Sequence, residues 1–251
     1  MSRKLALVTG GHRRLGAAIA ARLAREGWAV AIHGSHDADP VADLAAVFAE
    51  TSAEWHGFVA DFSDPNEAEA LVGTVAERFG RVPDLLVNSA AMFGQDDLAT
   101  VQAADLMAHY AVNCAAPALL TKAFAAAGGA GRAIVNLLDQ RIFHPHRDQF
   151  AYTLSKQALA GLTQASARVL APAIRVNAVA PGLTIVTDEY AAGQAERLAA
   201  RMPLARLPHA AEVADAVLYL AGAQSVTGQI LCVDGGAHMV AFDRDFLHLD
   251  R

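Results

Sequence analysis

The sequence predicts a doubly wound α/β domain, with a parallel sheet of about seven strands and helices on both faces. Short runs rich in Val, Ile and Leu alternate with longer Ala- and Leu-rich stretches of helical spacing from end to end. The runs mostly lack polar alternation, as strands covered on both faces do. The first of them leads into a glycine turn that opens a helix.

In chain order, strands are expected at Leu5–Val8, Ala29–His33, Gly57–Ala60, Leu85–Val87, Ala133–Leu138, Ile174–Val179 and Ile230–Val233. Helices are expected between them at Arg14–Arg25, Asp43–Glu50, Glu67–Arg78, Val101–Ala127, Ala151–Leu170 and Ala211–Ala221. Ser63-Asp64-Pro65 marks one helix start, a capping side chain followed by proline in the first turn. Strand–helix–strand repetition implies right-handed crossovers and a parallel sheet. No low-complexity linker divides residues 1–251, so one domain is expected. The gap after Gly182 holds an expected helix near Ala191–Arg201, and the segment 183–209 reads as a lid over a site.

Composition narrows the function. The 251 residues are 54% hydrophobic and 18% charged, with a formal charge of −6, which excludes a disordered chain and gives no basic footprint for nucleic acid. The longest uncharged run, Ala216–Val233, is broken by Gln224, Ser225, Thr227, Gly228 and Gln229, so no membrane span is expected. Met1-Ser2-Arg3-Lys4 precedes only four apolar residues and does not read as a signal peptide. A soluble, cytoplasmic protein is expected. Cys114 and Cys232 make neither a disulfide framework nor a metal-ligand pair, and no metal is expected. The histidines of His144-Pro145-His146-Arg147 lack ligand partners at helical spacing and read as a loop able to touch substrate.

Thr9-Gly10-Gly11-His12-Arg13-Arg14-Leu15-Gly16 carries the first chemistry. Gly10 permits a tight turn, Gly16 permits close helix–strand approach, and the helix start presents amides to a pyrophosphate. An acidic residue at the end of the second strand would accept the ribose hydroxyls of NAD. Here that strand ends in His33-Gly34-Ser35-His36, with Arg13 nearby and no carboxylate before Asp37, which favours NADPH over NADH. Downstream, Tyr152 and Lys156 lie one helical turn apart. An ammonium beside a phenol favours the phenolate, which would bring the tyrosine towards the range of a general acid.

From Leu5 to about Met239 the chain resembles the short-chain dehydrogenase/reductase family. The resemblance rests on Thr9–Gly16, Ala60-Asp61-Phe62, Leu86-Val87-Asn88-Ser89-Ala90-Ala91, Asn113, Val135–Asp139, Tyr152–Lys156, Asn177 to Pro181-Gly182, and Val233-Asp234-Gly235-Gly236. It implies a Rossmann-type fold in which Tyr152 is the acid, Lys156 orients the nicotinamide ribose and Asn113 supports a water relay. It also implies adenine contact at Asp61–Phe62 and cofactor contact at Asn88–Ala90 and Pro181-Gly182-Leu183-Thr184. With Gly10, His12, Arg13, Arg14, Leu15, Gly16, His33, Ser35 and His36, these complete the expected cofactor site.

The departures from the family pattern narrow it. Most members have serine thirteen residues before the tyrosine, where this chain has Asp139, and glycine where it has Arg14. Asn88-Ser89-Ala90-Ala91 is followed by Met92-Phe93. Aspartate, turn arginine and this phenylalanine resemble pteridine and dihydromonapterin reductases. The resemblance implies that Phe93 stacks a pterin against nicotinamide and that Arg14 lies between phosphates and pterin. Asp139, Tyr152, Leu183 and Tyr190 join them as expected substrate contacts, with Asp188 a further lid candidate. A flat ring needs such an aromatic partner, and a carboxyl can exchange a proton with a ring nitrogen. Position alone leaves Phe93 open as a core aromatic and Arg14 as a phosphate partner only. The expected reaction is NADPH-dependent reduction of a dihydropterin to the tetrahydro form. The alternatives are a carbonyl reductase or alcohol dehydrogenase acting on a non-pterin ketone, or a non-catalytic dinucleotide-binding protein. Family members are commonly dimers or tetramers, so a homo-oligomer is expected, with the charged, amphipathic tail Ala241–Arg251 able to dock on a neighbouring subunit.

Overall fold

A computed structural model describes residues Arg3–Asp250; Met1 and Ser2 of the amino-terminal stretch and Arg251 of the tail lie outside the described residues. Seven parallel strands form one sheet in the order β3-β2-β1-β4-β5-β6-β7. They are β1 (Leu5–Thr9), β2 (Ala29–Gly34), β3 (Trp55–Val59), β4 (Leu85–Asn88), β5 (Arg132–Leu137), β6 (Ile174–Pro181) and β7 (Ile230–Val233). The helices are α1 (Arg14–Arg25), α2 (Ala42–Thr51), α3 (Pro65–Phe79), α4 (Ala103–Tyr110), α5 (Ala116–Ala126), α6 (Phe150–Leu170), α7 (Gln194–Arg201) and α8 (Ala210–Gly222). No helix among the described residues is long and apolar enough to cross a membrane.

Strand alternation divides the core into two layers. Ala6, Val8, Val30, Ile32, Val87 and Val135 face α1, α2 and α8, whereas Leu5, Leu7, Ala31, Leu86 and Ile134 face α3, α5 and α6. Both sides of every central strand are therefore apolar, which is why these runs carry no polar alternation. Asp64 caps α3 through the Asn66 amide at 2.8 Å, with Pro65 following, as its sequence implies.

Two elements differ from expectation. β3 starts at Trp55 rather than Gly57, because it pairs only with β2 and leaves Trp55 and Val59 exposed. A search for continuous apolar runs underweights such an edge strand. The stretch expected as one helix over Val101–Ala127 is two, α4 and α5, joined by a π-helical turn at Ala111–Ala115. Pro117 lies in the first turn of α5 and has no amide to donate, and the buried Asn113 side chain pulls the turn towards a neighbouring loop. The order of strands reverses between β1 and β4, which opens a crevice at their carboxyl ends.

Candidate active site

The carboxyl ends of the strands open into a cavity of about 1080 Å³. The turn after β1 forms one wall. Gly10 takes the left-handed φ of 61°, and a Cβ on Gly16 would lie 2.1 Å from the Gly10 carbonyl oxygen, so both positions require glycine. Arg14, exposed at the start of α1, also has a positive φ, 50°, at a cost of about 1 kcal/mol for a side chain with a Cβ. His12, Arg13, Arg14, Leu15, Ser35, His36, Asp61 and Phe62 border the same cavity. Asp37, the first carboxylate past β2, does not border it and spends an oxygen on the Asp39 amide at 2.8 Å.

Two residues of the expected cofactor site also tie its walls together. His33 borders the cavity, but its Nδ1 accepts from the Gly10 amide at 3.2 Å and its Nε2 donates to the Ala60 carbonyl at 2.9 Å. Its ring stacks on Phe62 with centroids 4.2 Å apart. Burial pushes the His33 pKa down to about 4, against the Ala60 bond and with help from His12, so the ring is neutral and both nitrogens are committed. Asn88 does not border the cavity; its Nδ2 donates to Asn136 Oδ1 at 2.8 Å, and Asn136 donates to Thr163 at 2.9 Å, tying β4, β5 and α6 together. Thr9 Oγ1 accepts from the Ser89 and Ala90 amides at 3.0 Å, orienting the strip Ser89–Phe93 along the opening.

Asn113 also ties elements together. Its Oδ1 accepts from the Met92 amide at 2.7 Å, and its Nδ2 donates to the Met92 carbonyl and to Ser155 Oγ, each at 2.9 Å. The side chain fastens the Phe93 strip to α6.

At the floor, the Tyr152 hydroxyl donates to Asp139 Oδ2 at 3.1 Å. Lys156 Nζ donates to the Leu137 carbonyl at 2.8 Å and lies 5.7 Å from the Tyr152 ring centre. The expected lowering of the tyrosine pKa is absent. Burial, then the Asp139 charge, hold the phenol well above its ordinary value, and Arg141 offsets them only in part. Burial also brings Lys156 down to about 8, with Asp139 opposing and Arg141 assisting. Phe93 is 51% exposed, so it is not a core aromatic; its ring meets Tyr152 edge-on, centroids 4.7 Å apart at 70°.

Pro181 at the end of β6 and Gly182, Leu183 and Thr184 beyond it border the cavity, as do Asp188 and the half-buried Tyr190. His144 and His146 do not: His144 is exposed, while His146 lies buried, 3.4 Å from Gln140 and edge-on to Phe246. Part of the tail packs on its own chain. Phe242 and Phe246 join Leu183, Leu198 and Met202 in one buried cluster, and Gln194 of α7 donates to the Leu249 carbonyl at 2.6 Å. Its amphipathic face is thus used internally.

Sequence reasoning missed Arg141 and Asp245, both on the cavity wall. Arg141 is ion-paired to Asp139 at 3.2 Å and to Asp245 at 2.6 Å. Arg141 stands only two positions past Asp139, which was a readable signal; Asp245 lies 104 residues further on and had none. Elsewhere Cys232, Asp234 and His238 bring ligand atoms within 4.8 Å of one another. The Asp234 oxygens there already accept from the Gly236 amide and from the His238 amide and Nδ1, so they cap the turn after β7.

Comparison with known proteins fits this architecture. The family model described as enoyl-(acyl carrier protein) reductase matches residues 11–238. Pteridine reductase 1 of Leishmania tarentolae is 33% identical, covering 92% of this chain and 95% of its own. The 3-oxoacyl-(acyl-carrier-protein) reductase FabG of Staphylococcus aureus is 30% identical, covering 94% and 98%. Among solved structures, FolM alternative dihydrofolate reductase 1 from Brucella canis, complexed with NADP, superposes with a TM-score of 0.86 at 34% identity, covering 94% of each chain.

Proposed function

The chain belongs to the short-chain dehydrogenase/reductase family of oxidoreductases, and we propose that within it this protein is an NADPH-dependent reductase of a dihydropterin. One observation carries the reading: the tyrosine hydroxyl is bonded to a carboxylate, Asp139, beneath a half-exposed aromatic ring, Phe93. A carbonyl oxygen needs hydrogen-bond donors, and an ion-paired carboxylate has none to give. A pterin edge carries amino and ring N–H donors that such a carboxylate can accept, and its flat face suits Phe93.

The cavity has the features an extended dinucleotide needs. The left-handed Gly10 and the close-packed Gly16 bring the unpaired first-turn amides of α1 to its wall, where Gly10, Arg13, Arg14 and Leu15 would hold the pyrophosphate. Arg13, Ser35 and His36 border it, and the first carboxylate past β2, Asp37, is turned into its own loop, which favours a 2′-phosphate; Asp61, the carboxylate near His36, stands after β3. The solved relatives complexed with NADP or NADPH support the same cofactor. When bound, NADPH supplies the hydride. Tyr152 holds the proton that goes to the ring nitrogen, Asp139 fixes the hydroxyl, and Lys156 would orient the ribose. Phe93 covers the substrate face, and segment 183–209 would close over it as a lid.

A second reading, reduction of an acyl or cyclic ketone, is favoured by the 3-oxoacyl reductase relative. NADPH oxidation followed with dihydromonapterin, dihydrobiopterin, dihydrofolate and simple ketones separates the two. Turnover of ketones without turnover of any dihydropterin overturns the first reading.

A further inference from the structure

Behind Asp139 the ion pairing continues. Arg141 is 2% exposed, and its amide (2.9 Å) and Nε (3.2 Å) both bond to Asp139 Oδ1, while Asp139 Oδ2 takes the Tyr152 hydroxyl. The other end of the guanidinium donates to Asp245 Oδ2 at 2.6 Å and to Gln149 Oε1. Asp245 has little freedom, since its Oδ1 accepts from the Leu247 amide at 2.9 Å and its own amide donates to Asp148 Oδ1 at 2.8 Å. Gln149 is fully buried and held at a left-handed φ of 55°, a conformation its neighbours must stabilise. One guanidinium thus faces two carboxylates, Asp245 buried and Asp139 still partly open to the cavity, and removing either would leave Arg141 unevenly paired.

We propose that Asp245, in the carboxyl-terminal segment, is a positioning residue of the reaction: through Arg141 it holds the Asp139 carboxylate, and through that the Tyr152 hydroxyl, in place. This rests on the assignment of Tyr152 and Asp139 to the chemistry. It makes the last turn of the chain part of the active site, although Asp245 itself moves no proton. A rigid guanidinium can aim Asp139 only when its far end is fixed, and the tail fixes it.

The charges around the pair set the sign of the expected pH effect. Tyr152 and Lys156 face it from α6, His146 and Asp148 from the preceding loop, Glu189 and Tyr190 from the segment after β6, and Arg244 from the tail. Neutralising Asp245 leaves Arg141 facing Asp139 and Tyr152 with less opposing charge. That favours the phenolate, so Tyr152 gives up its proton at lower pH.

The test is Asp245→Asn, which keeps shape and removes charge. With dihydromonapterin, kcat is expected to fall about tenfold through misplacement. The alkaline limb of its pH profile should move to lower pH while NADPH affinity, read by fluorescence, is unchanged, and Asp245→Glu should recover part of kcat. A variant with wild-type kcat and pH profile overturns the proposal, even if its thermal midpoint drops, because the tail would then only pack. If the wild type turns over no dihydropterin, or if Tyr152→Phe keeps its turnover, the underlying reading of the site fails instead. The tail is then tested without turnover, by the ultraviolet tyrosinate titration of the NADP⁺ complex taken as a difference from Tyr152→Phe. A shift to lower pH in Asp245→Asn supports the linkage, and an unmoved titration overturns it.

Discussion

The two ends of the cavity are built in different ways. At the glycine turn, position is set by main chain: Gly10, Gly16, the first-turn amides of α1 and a neutral His33 that bonds the turn from behind. At the substrate end it is set by charge: Asp139, Arg141, Asp245 and Lys156, drawn from three separate stretches of chain, all but Asp139 held out of water. Main-chain geometry suits a ligand part that is common to many enzymes, because any sequence with glycines at the right places can reproduce it. A buried charge network is costly and fails if one member is lost, so it suits the part of the site that discriminates.

The contrast is tested most severely at Tyr152. Tyr152→Phe keeps the wall and removes the proton, so turnover should fall by about 10²- to 10⁴-fold with NADPH affinity retained. Steady-state rates beside a fluorescence titration decide it, and wild-type turnover would remove Tyr152 as the acid.

The turn should show its own signature in stability. His33 titrates near 4 when folded and near 6.5 when unfolded, so its neutral form favours the fold above 6.5. As pH drops from 6.5 to 4 the unfolded chain takes up a proton that the folded one refuses, and about 3 kcal/mol is lost. Urea unfolding of wild type and His33→Gln across that window should differ in slope. Parallel curves would mean that the Gly10 bond does not depend on a neutral ring.

At the charged end, Asp139→Ser should lower dihydropterin reduction by about tenfold or more, and leave slow ketone reduction unchanged or improved. Parallel kcat/KM values on both substrates measure this. Equal pterin turnover would reduce Asp139 to a stand-in for serine. The smallest effect is expected at Phe93, whose ring stacking is worth about 0.5–1.5 kcal/mol beyond burial. Phe93→Ala should therefore raise the pterin KM several-fold, by about that free energy, and leave the NADPH KM in place.

Much of this was legible in residue order. Apolar runs identify strands covered by helices, so all seven strands fall within two residues of their expected bounds, β3 at its start and β6 at its end by the full two. Tyr152 and Lys156 share a helix face because of the helical period, and Gly10 and Gly16 announce a turn that excludes side chains. Such signals are local, since spacing along a helix or strand translates directly into position. The edge strand β3 and the π turn at Asn113 were harder to read. The first has one solvated face, and the second is produced by bonds from Asn113 to Met92 and to Ser155.

What only the tertiary structure decided is the balance of charge. Sequence spacing put an ammonium beside a phenol and implied a lowered tyrosine pKa. Folding buried that phenol against Asp139 and raised it. The tail is charged and amphipathic in sequence, and folding sets its Asp245 on Arg141 and its Phe246 on Leu183. Electrostatic energy in a dry site depends on three-dimensional distance and on how far water is excluded, and neither is written in the local pattern. The composition and periodicity of this chain determine its sheet, its turn and the face that carries Tyr152. The state of that tyrosine is set by residues that meet it only after 251 residues have folded.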